Sequence, residues 1–177
     1  MAEYKSLVVG PDDNPHEVGA LSASDTVASL TRVLFDDATD VASSGTPTVL
    51  ATNSITANTF ISDGGTINAS YFGTMVASTN ERSIILKFNS TSIFTQLYDA
   101  STYDKWRLDC TIIRESSSIV KCYTTMFVPG LYPDMTYTRI TSLSLTGSSY
   151  NLELSAEQTS NNDVVFKFSK GTYTPGI

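Results

Sequence analysis

The stretch Lys105-Trp106-Arg107-Leu108-Asp109-Cys110-Thr111-Ile112-Ile113-Arg114 alternates two kinds of side chain. From Trp106 to Ile112 the even positions are Trp, Leu, Cys and Ile, and the odd positions between them are Arg, Asp and Thr. Successive side chains of a β-strand point to opposite faces of its sheet. The stretch therefore predicts a strand with one buried and one exposed face.

A second strand is predicted to return along the first over residues 119–128, after a turn at residues 116–118. Its even positions are the better core candidates: Val120, Cys122, Thr124, Met126 and Val128. A turn centred near Ser116 or Ser117 would place Cys110 close to Cys122 on one face. Two small buried thiols are the favoured interpretation, because the sequence indicates a reducing compartment, and a disulfide is the alternative.

Further strand patterns are separated by short polar turns, which indicates hairpin and loop connections. They cover residues 48–54, 66–76, 83–88, 92–98, 136–145, 150–157 and 163–170, with Gly73 at a predicted bulge. The abundant Ser, Thr and Asn disfavour helix interiors. The sequence predicts an all-β fold, an antiparallel β-sandwich or jelly roll of about eight strands with an extended N-terminal arm.

The domain prediction divides the chain into residues 1–45, an arm and link, and residues 46–177, the sandwich. Ser24-Asp25 precedes apolar residues at helical spacing, which predicts a short helix from Thr26 to about Phe35. Asp36-Asp37-Ala38-Thr39-Asp40 and Ser43-Ser44-Gly45 are predicted to form a solvated link.

Composition and charge exclude several classes of partner. The 177 residues carry a net charge of −7, and the eleven Lys and Arg are scattered, so no nucleic-acid partner is predicted. No apolar run has the roughly 18–20 residues that span a bilayer, so no membrane insertion is predicted. The start, Met1-Ala2-Glu3-Tyr4-Lys5, lacks the pattern of a signal peptide, which predicts synthesis in a cytosol.

Three stretches together resemble a known family, the jelly-roll head domains of phage tail and fibre proteins. Leu50-Ala51-Thr52-Asn53-Ser54-Ile55-Thr56-Ala57-Asn58-Thr59-Phe60 resembles the family's opening strand and corner, with Thr56 at the position of a proline. Arg82-Ser83-Ile84-Ile85-Leu86-Lys87-Phe88, followed by Ile93-Phe94, resembles a later strand and its short return. The most specific match is residues 105–114, which resemble the family's Trp-Arg-Leu-x-x-Thr-Ile-Ile-Arg strand.

The resemblance spans about residues 47–128 and implies a non-enzymatic virion protein, such as a phage fibre or capsid-decorating component. It implies a homotrimer formed through the jelly-roll domain and an arm that docks onto other virion proteins of the capsid or tail. The predicted docking residues of the arm are Tyr4, Leu7, Val8 and Val9. Apolar neighbours such as Ile112 with Ile113 place apolar groups on both strand faces, which favours burial between subunits.

The alternative prediction is a carbohydrate- or receptor-binding module that contacts a host surface glycan through loop aromatics. Its candidate contacts are Tyr98, Tyr103, Tyr132 and Tyr137. No catalytic residue is predicted. The one histidine, His16, lies in the arm, and Glu153 and Glu157 would lie about 13 Å apart on one strand, too far for either glycosidase spacing. Asp99 and Asp104 are interpreted as flanks of a polar loop, and the remaining carboxylate pairs lie in the arm or link. No metal site and no cofactor are predicted either.

Overall fold

The computed structural model describes residues 7–9, 15–17, 31–44, 47–60, 62–76, 81–98, 105–145, 147–158 and 163–176. Every regular element in these ranges is a β-strand, which confirms the predicted all-β class. In chain order the strands are β1 (Leu7–Val9), β2 (Pro15–Glu17), β3 (Arg32–Asp37), β4 (Val41–Ala42), β5 (Thr48–Ile55), β6 (Thr66–Met75), β7 (Arg82–Phe88), β8 (Thr91–Tyr98), β9 (Lys105–Ser116), β10 (Ile119–Phe127), β11 (Asp134–Ile140), β12 (Tyr150–Gln158) and β13 (Val164–Thr174).

Eleven of these strands form two antiparallel sheets. The first sheet has seven strands in the order β11-β10-β9-β6-β13-β3, with β4 also paired to β13. The second has four strands in the order β5-β12-β7-β8. Buried side chains from both sheets form a single core between them. The predicted antiparallel sandwich is therefore confirmed.

The connections combine local hairpins with long returns. Strands β9, β10 and β11 follow one another as neighbours in one sheet, and β7 pairs with β8 across a turn. That turn contains Asn89 at φ 53°, in the left-handed region that Asn tolerates better than most residues. By contrast, β12 returns to lie between β5 and β7, and β13 returns to lie between β6 and β3.

The core confirms the alternation read from the sequence. The even positions of β9 from Trp106 to Ile112 are all buried, and so are the even positions of residues 120–128. Burying an aliphatic or aromatic side chain contributes about 1.5–3 kcal/mol. Because the two strands are neighbours, their even positions form one continuous apolar surface against the four-stranded sheet.

The two cysteines are free and buried on this surface. Cys122 lies opposite Ile112 and Cys110 lies opposite Thr124, so the thiols are diagonal rather than direct neighbours. Burial raises the pKa of Cys122 to about 12 and that of Cys110 further, which keeps both thiols protonated near neutral pH. They behave as small core side chains, as the favoured interpretation has it.

Two predictions about residues 26–45 need correction. Residues 32–37 form strand β3 rather than the end of a helix, and residues 26–30 lie outside the described residues. The predicted link is also part of the sandwich, because β3 and β4 both pair with β13. Phe35 packs over Gly171, where an added Cβ would lie 2.2 Å from the ring, so side-chain packing reinforces the strand pairing. The sandwich therefore includes residues 32–44.

Candidate functional site

An exposed apolar surface lies on the outside of the seven-stranded sheet, near β10 and β11. The described ranges contain ten exposed large hydrophobic side chains, and six of them lie between residues 123 and 137. The odd positions of β10 point outwards because its even positions fill the core. We define the aromatic face as the surface formed by Phe72, Arg107, Tyr123, Phe127, Leu131, Met135 and Tyr137.

Arg107 lies on β9 between two phenyl rings of the aromatic face, that of Phe72 on β6 and that of Phe127 on β10. Its guanidinium carbon is 5.5 Å from the centroid of Phe72 and 5.9 Å from that of Phe127. Arg107 also donates through Nε to Asp109 Oδ1 at 2.9 Å, and its Nη2 lies 2.8 Å from Oδ2. The two-pronged pairing holds the guanidinium over the rings, so it extends the apolar surface while keeping a polar edge.

A depression of about 440 Å³ adjoins Arg107. Its walls come from three strands and from the loop that follows β10: Phe72, Lys105, Trp106, Arg107, Phe127, Val128, Pro129, Gly130 and Leu131. Most of these walls are apolar. The depression therefore suits an apolar side chain better than a charged ligand.

At the end of the aromatic face away from Arg107, a tyrosine pair adjoins an ion-pair cluster. Tyr123 and Tyr137 lie opposite each other on β10 and β11, with ring centroids 5.1 Å apart. Beyond them, Arg139 donates through Nε and Nη2 to the two oxygens of Glu115, both at 3.0 Å. Lys121 Nζ lies 3.5 Å from the same carboxylate. The hydrogen bond from Arg139 lowers the pKa of Glu115, so this carboxylate stays ionised.

The charge on this face has the opposite sign to that of the whole chain. The outward positions of β9, β10 and β11 in and around the aromatic face carry four cations, Lys105, Arg107, Lys121 and Arg139, against the two carboxylates Asp109 and Glu115. The local balance is therefore +2, whereas the chain carries −7. Such a surface attracts an acidic partner more strongly than a basic one.

The four predicted glycan contacts do not form one surface. Tyr98 is 3% exposed and its hydroxyl donates to Asp134 Oδ2 at 3.1 Å, so it is a core residue and its predicted role in glycan contact is wrong. Tyr103 lies outside the described residues. Tyr137 is half exposed on the aromatic face, and Tyr132 is 95% exposed in the loop before β11.

Of the predicted arm contacts, Leu7, Val8 and Val9 form β1, which pairs with β2. Val8 lies opposite His16 in that pair, and Tyr4 lies outside the described residues. In the described ranges neither strand pairs with the sandwich sheets.

The sequence places apolar residues side by side in three strands: Ile84 with Ile85, Ile112 with Ile113, and Val164 with Val165. In each pair one side chain is in the core and the other is not. Ile112, Ile84 and Val164 are buried, whereas Ile113, Ile85 and Val165 are half-buried on the outer sheet faces. Ile113 lies opposite Lys121, close to the end of the aromatic face that contains Tyr123 and Tyr137. The surplus apolar surface is thus concentrated at β10 and β11 more than at these pairs.

The described residues contain no group of three His, Cys, Asp or Glu side chains placed to hold a metal ion. Glu153, one of the carboxylates considered in the sequence, pairs with Lys87 at 3.4 Å. Within the same ranges, no helix is long and apolar enough to cross a membrane.

Sequence reasoning missed most of the aromatic face, although a signal was present. If the even positions of β10 fill the core, its odd positions must face outwards, and two of those are Tyr123 and Phe127. Strand β11 continues the pattern with Met135 and Tyr137. Large apolar residues at outward positions of neighbouring strands indicate an interaction surface.

Comparison with known proteins gives no family. No protein-family model matches the chain, and no curated protein matches it. Among solved structures, a protein of unknown function, SO2946 from Shewanella oneidensis MR-1, is 8% identical with a TM-score of 0.44, over 89% of this chain and 96% of that one. The structure of infectious bursal disease virus, Gx strain, is 10% identical with a TM-score of 0.35, over 98% of this chain and 37% of that one. Likeness at this level assigns no function.

Proposed function

We propose that this chain is a non-enzymatic structural component of a virion that assembles with copies of itself, as a trimer, through the aromatic face. The observation that carries the proposal is the concentration of six exposed large hydrophobic side chains between residues 123 and 137. Contiguous apolar surface on a soluble protein marks an interaction site. Tyr, Phe, Met and Arg, which dominate this face, are the residue types enriched at protein interfaces.

The virion role and the number of three rest on the resemblance of residues 47–128 to the jelly-roll head domains of phage tail and fibre proteins. The N-terminal arm would attach the assembly to other virion proteins, as that resemblance implies. The apolar outer surface supplies the physical motive, because each Å² removed from water contributes about 25 cal/mol.

The molar mass of the purified chain, measured by light scattering after size exclusion, tests this proposal. We expect a mass near three times 19.1 kDa. Met135→Glu should reduce it to one chain, because Met135 is 80% exposed and its replacement places a carboxylate inside the contact without disturbing the core. A native monomer, or a Met135→Glu variant of unchanged mass, would contradict assembly through this face.

Leu97→Glu is the matched control for Met135→Glu. Leu97 is 61% exposed, but it lies on β8, in the four-stranded sheet. The substitution adds the same charge at a similarly exposed apolar position. We expect the mass to stay that of the native chain, which separates a specific contact from general hydrophobic association.

A second candidate function is glycan or receptor binding, favoured by the nearly complete exposure of Tyr132 and by the Tyr123–Tyr137 pair. Exposed aromatic rings stack on apolar faces of sugars. On a glycan array, binding by the intact chain that disappears in Tyr132→Ala but persists in Leu97→Ala is the expected result for this function. An array without any bound glycan would count against it.

A further inference from the structure

The N-terminal segment and the aromatic face carry opposite charges. Residues 1–30 contain one lysine, Lys5, against five carboxylates, so their side chains carry a net charge of −4. More than half of the chain's −7 thus lies in one sixth of its length. The same segment contains the apolar run Leu7-Val8-Val9. It offers acidic groups and aliphatic side chains, the chemistry that a basic aromatic surface binds.

The cations in and around the aromatic face outnumber the carboxylates there. Glu115 is shared by two cations, Lys121 and Arg139, so one positive charge there is not balanced. At the other end of the face, Lys105 makes no ion pair with any described residue. Tyr123 and Tyr137 lie between these ends and supply the apolar contact.

The point where the N-terminal segment joins the sandwich lies at the sheet edge opposite the one that the aromatic face reaches. The N-terminal segment joins the sandwich at Thr31, whose Oγ1 lies 2.9 Å from Thr174 Oγ1, next to β3 at one edge. Strand β11 forms the other edge, five strand spacings or about 24 Å away. Thirteen residues separate Glu17 from Thr31, and they span at most about 45 Å. This length suffices to reach a neighbouring copy in contact with the sandwich.

We propose that residues 3–17 of the acidic N-terminal segment bind the aromatic face of a neighbouring copy of the chain. The proposal rests on assembly through the aromatic face and names what occupies it. It replaces the attachment of the arm to other virion proteins, which the family resemblance implies, by a contact between copies of the chain. One segment and one face per copy, at opposite edges, make a head-to-tail contact, which closes into a ring without leaving a segment or a face unused. Salt weakens such a contact because it screens the charge attraction.

Crosslinking in the full-length chain tests the proposal. Ser6→Cys places a thiol in the segment, and Thr125→Cys places one on β10, opposite Met135 in the aromatic face. A short bismaleimide should join them into species of two and three chains on a denaturing gel. The natural Cys110 and Cys122 are buried and protonated, so they do not compete. Each single variant controls for links between identical positions.

Two further variants show whether the link is specific. Thr95→Cys replaces Thr125→Cys on the outer face of the four-stranded sheet, where we expect no link to Ser6→Cys. Adding Lys121→Glu and Arg139→Glu to the original pair should slow crosslinking about tenfold, because the segment then meets like charge.

The outcomes separate this inference from the proposed function. Links between chains that require both thiols and are slowed by charge reversal support it. Links only within one chain overturn it, because the segment then covers its own face. Absence of a link in a chain whose mass is still three times 19.1 kDa also overturns it, and leaves assembly through the aromatic face intact. A native monomer overturns both.

Discussion

Gly73→Ala is expected to lower the free energy of unfolding by about 3 kcal/mol or more. Gly73 lies on β6 directly opposite Trp106 on β9. A Cβ at this position would lie 2.1 Å from the carbonyl oxygen of Val165 and 2.4 Å from the Trp106 ring. The oxygen belongs to the backbone of the neighbouring strand, and the indole is held by its hydrogen bond to the Thr74 carbonyl. Moving either group aside would therefore lower the stability of the folded state.

Urea unfolding followed by the fluorescence of Trp106, the one tryptophan of the chain, measures this loss. Gly147→Ala is the matched control, because a Cβ there has nothing within 4 Å. Its backbone is at φ 80°, so the substitution should cost only about 1–2 kcal/mol of left-handed strain. Equal losses in the two variants would show that the close packing under Trp106 is not what makes Gly73 necessary.

Arg114→Met is expected to cost about 2–3 kcal/mol. The Arg114 side chain is only 7% exposed, and it donates through Nη1 to the carbonyl oxygen of Phe60 at 2.6 Å and through Nε to Asp63 Oδ1 at 2.9 Å. Its backbone is also joined to Gly64 and Gly65. Methionine keeps much of the volume but leaves the Phe60 carbonyl without this donor, so the loop between β5 and β6 loses its side-chain hydrogen bonds to Arg114 and keeps only the backbone ones.

Two substitutions separate hydrogen bonding from charge at this site. Asp63→Asn keeps an acceptor and removes the charge, and Asp63 is largely exposed, so we expect a loss below about 1 kcal/mol. Lys87→Met breaks the half-exposed pair with Glu153 and should change stability by about 0.5 kcal/mol or less. Urea midpoints at constant slope give all three values. An Arg114→Met midpoint close to that of Asp63→Asn would assign the stabilisation to charge alone.

Much of the fold was predictable because apolar and polar side chains alternate along a strand, so its buried and exposed faces can be read from its own residues. The strand patterns proposed after residue 46 correspond to strands β5 to β13, with ends that differ by a few residues. The largest difference is the pattern at residues 136–145, where β11 ends at Ile140. Leu143 and Leu145 instead donate backbone hydrogen bonds to Ser118 and Ser117, so they close the turn between β9 and β10.

Residues 32–37 show where local reading fails. Val27, Leu30 and Val33 have helical spacing, although the Val and Thr residues of this segment favour strands over helices. The strand at β3 exists because β13, more than 130 residues later, provides hydrogen-bond partners for it. Gly171 on β13 leaves the space that the Phe35 ring fills. A partner so distant in sequence leaves no local signal.

The candidate site was predictable in part. Tyr137 and Tyr132 were chosen as exposed aromatics and are exposed, whereas Tyr98 was chosen on the same grounds and is buried. The difference lies in position, because Tyr98 ends β8 at an inward position and its hydroxyl reaches Asp134, the first residue of β11. Composition identifies aromatic residues, but only the face on which each lies decides whether it is accessible.

The sequence by itself determined that this chain is an all-β protein and which side of most strands is buried, because alternation depends only on neighbouring residues. Only the tertiary structure decided which strands are neighbours, since pairs such as β6 with β13 and β5 with β12 join residues about 100 positions apart. The aromatic face depends on that second kind of information. Its residues come from β6, β9, β10, β11 and the loop between β10 and β11, and the strand order brings them together.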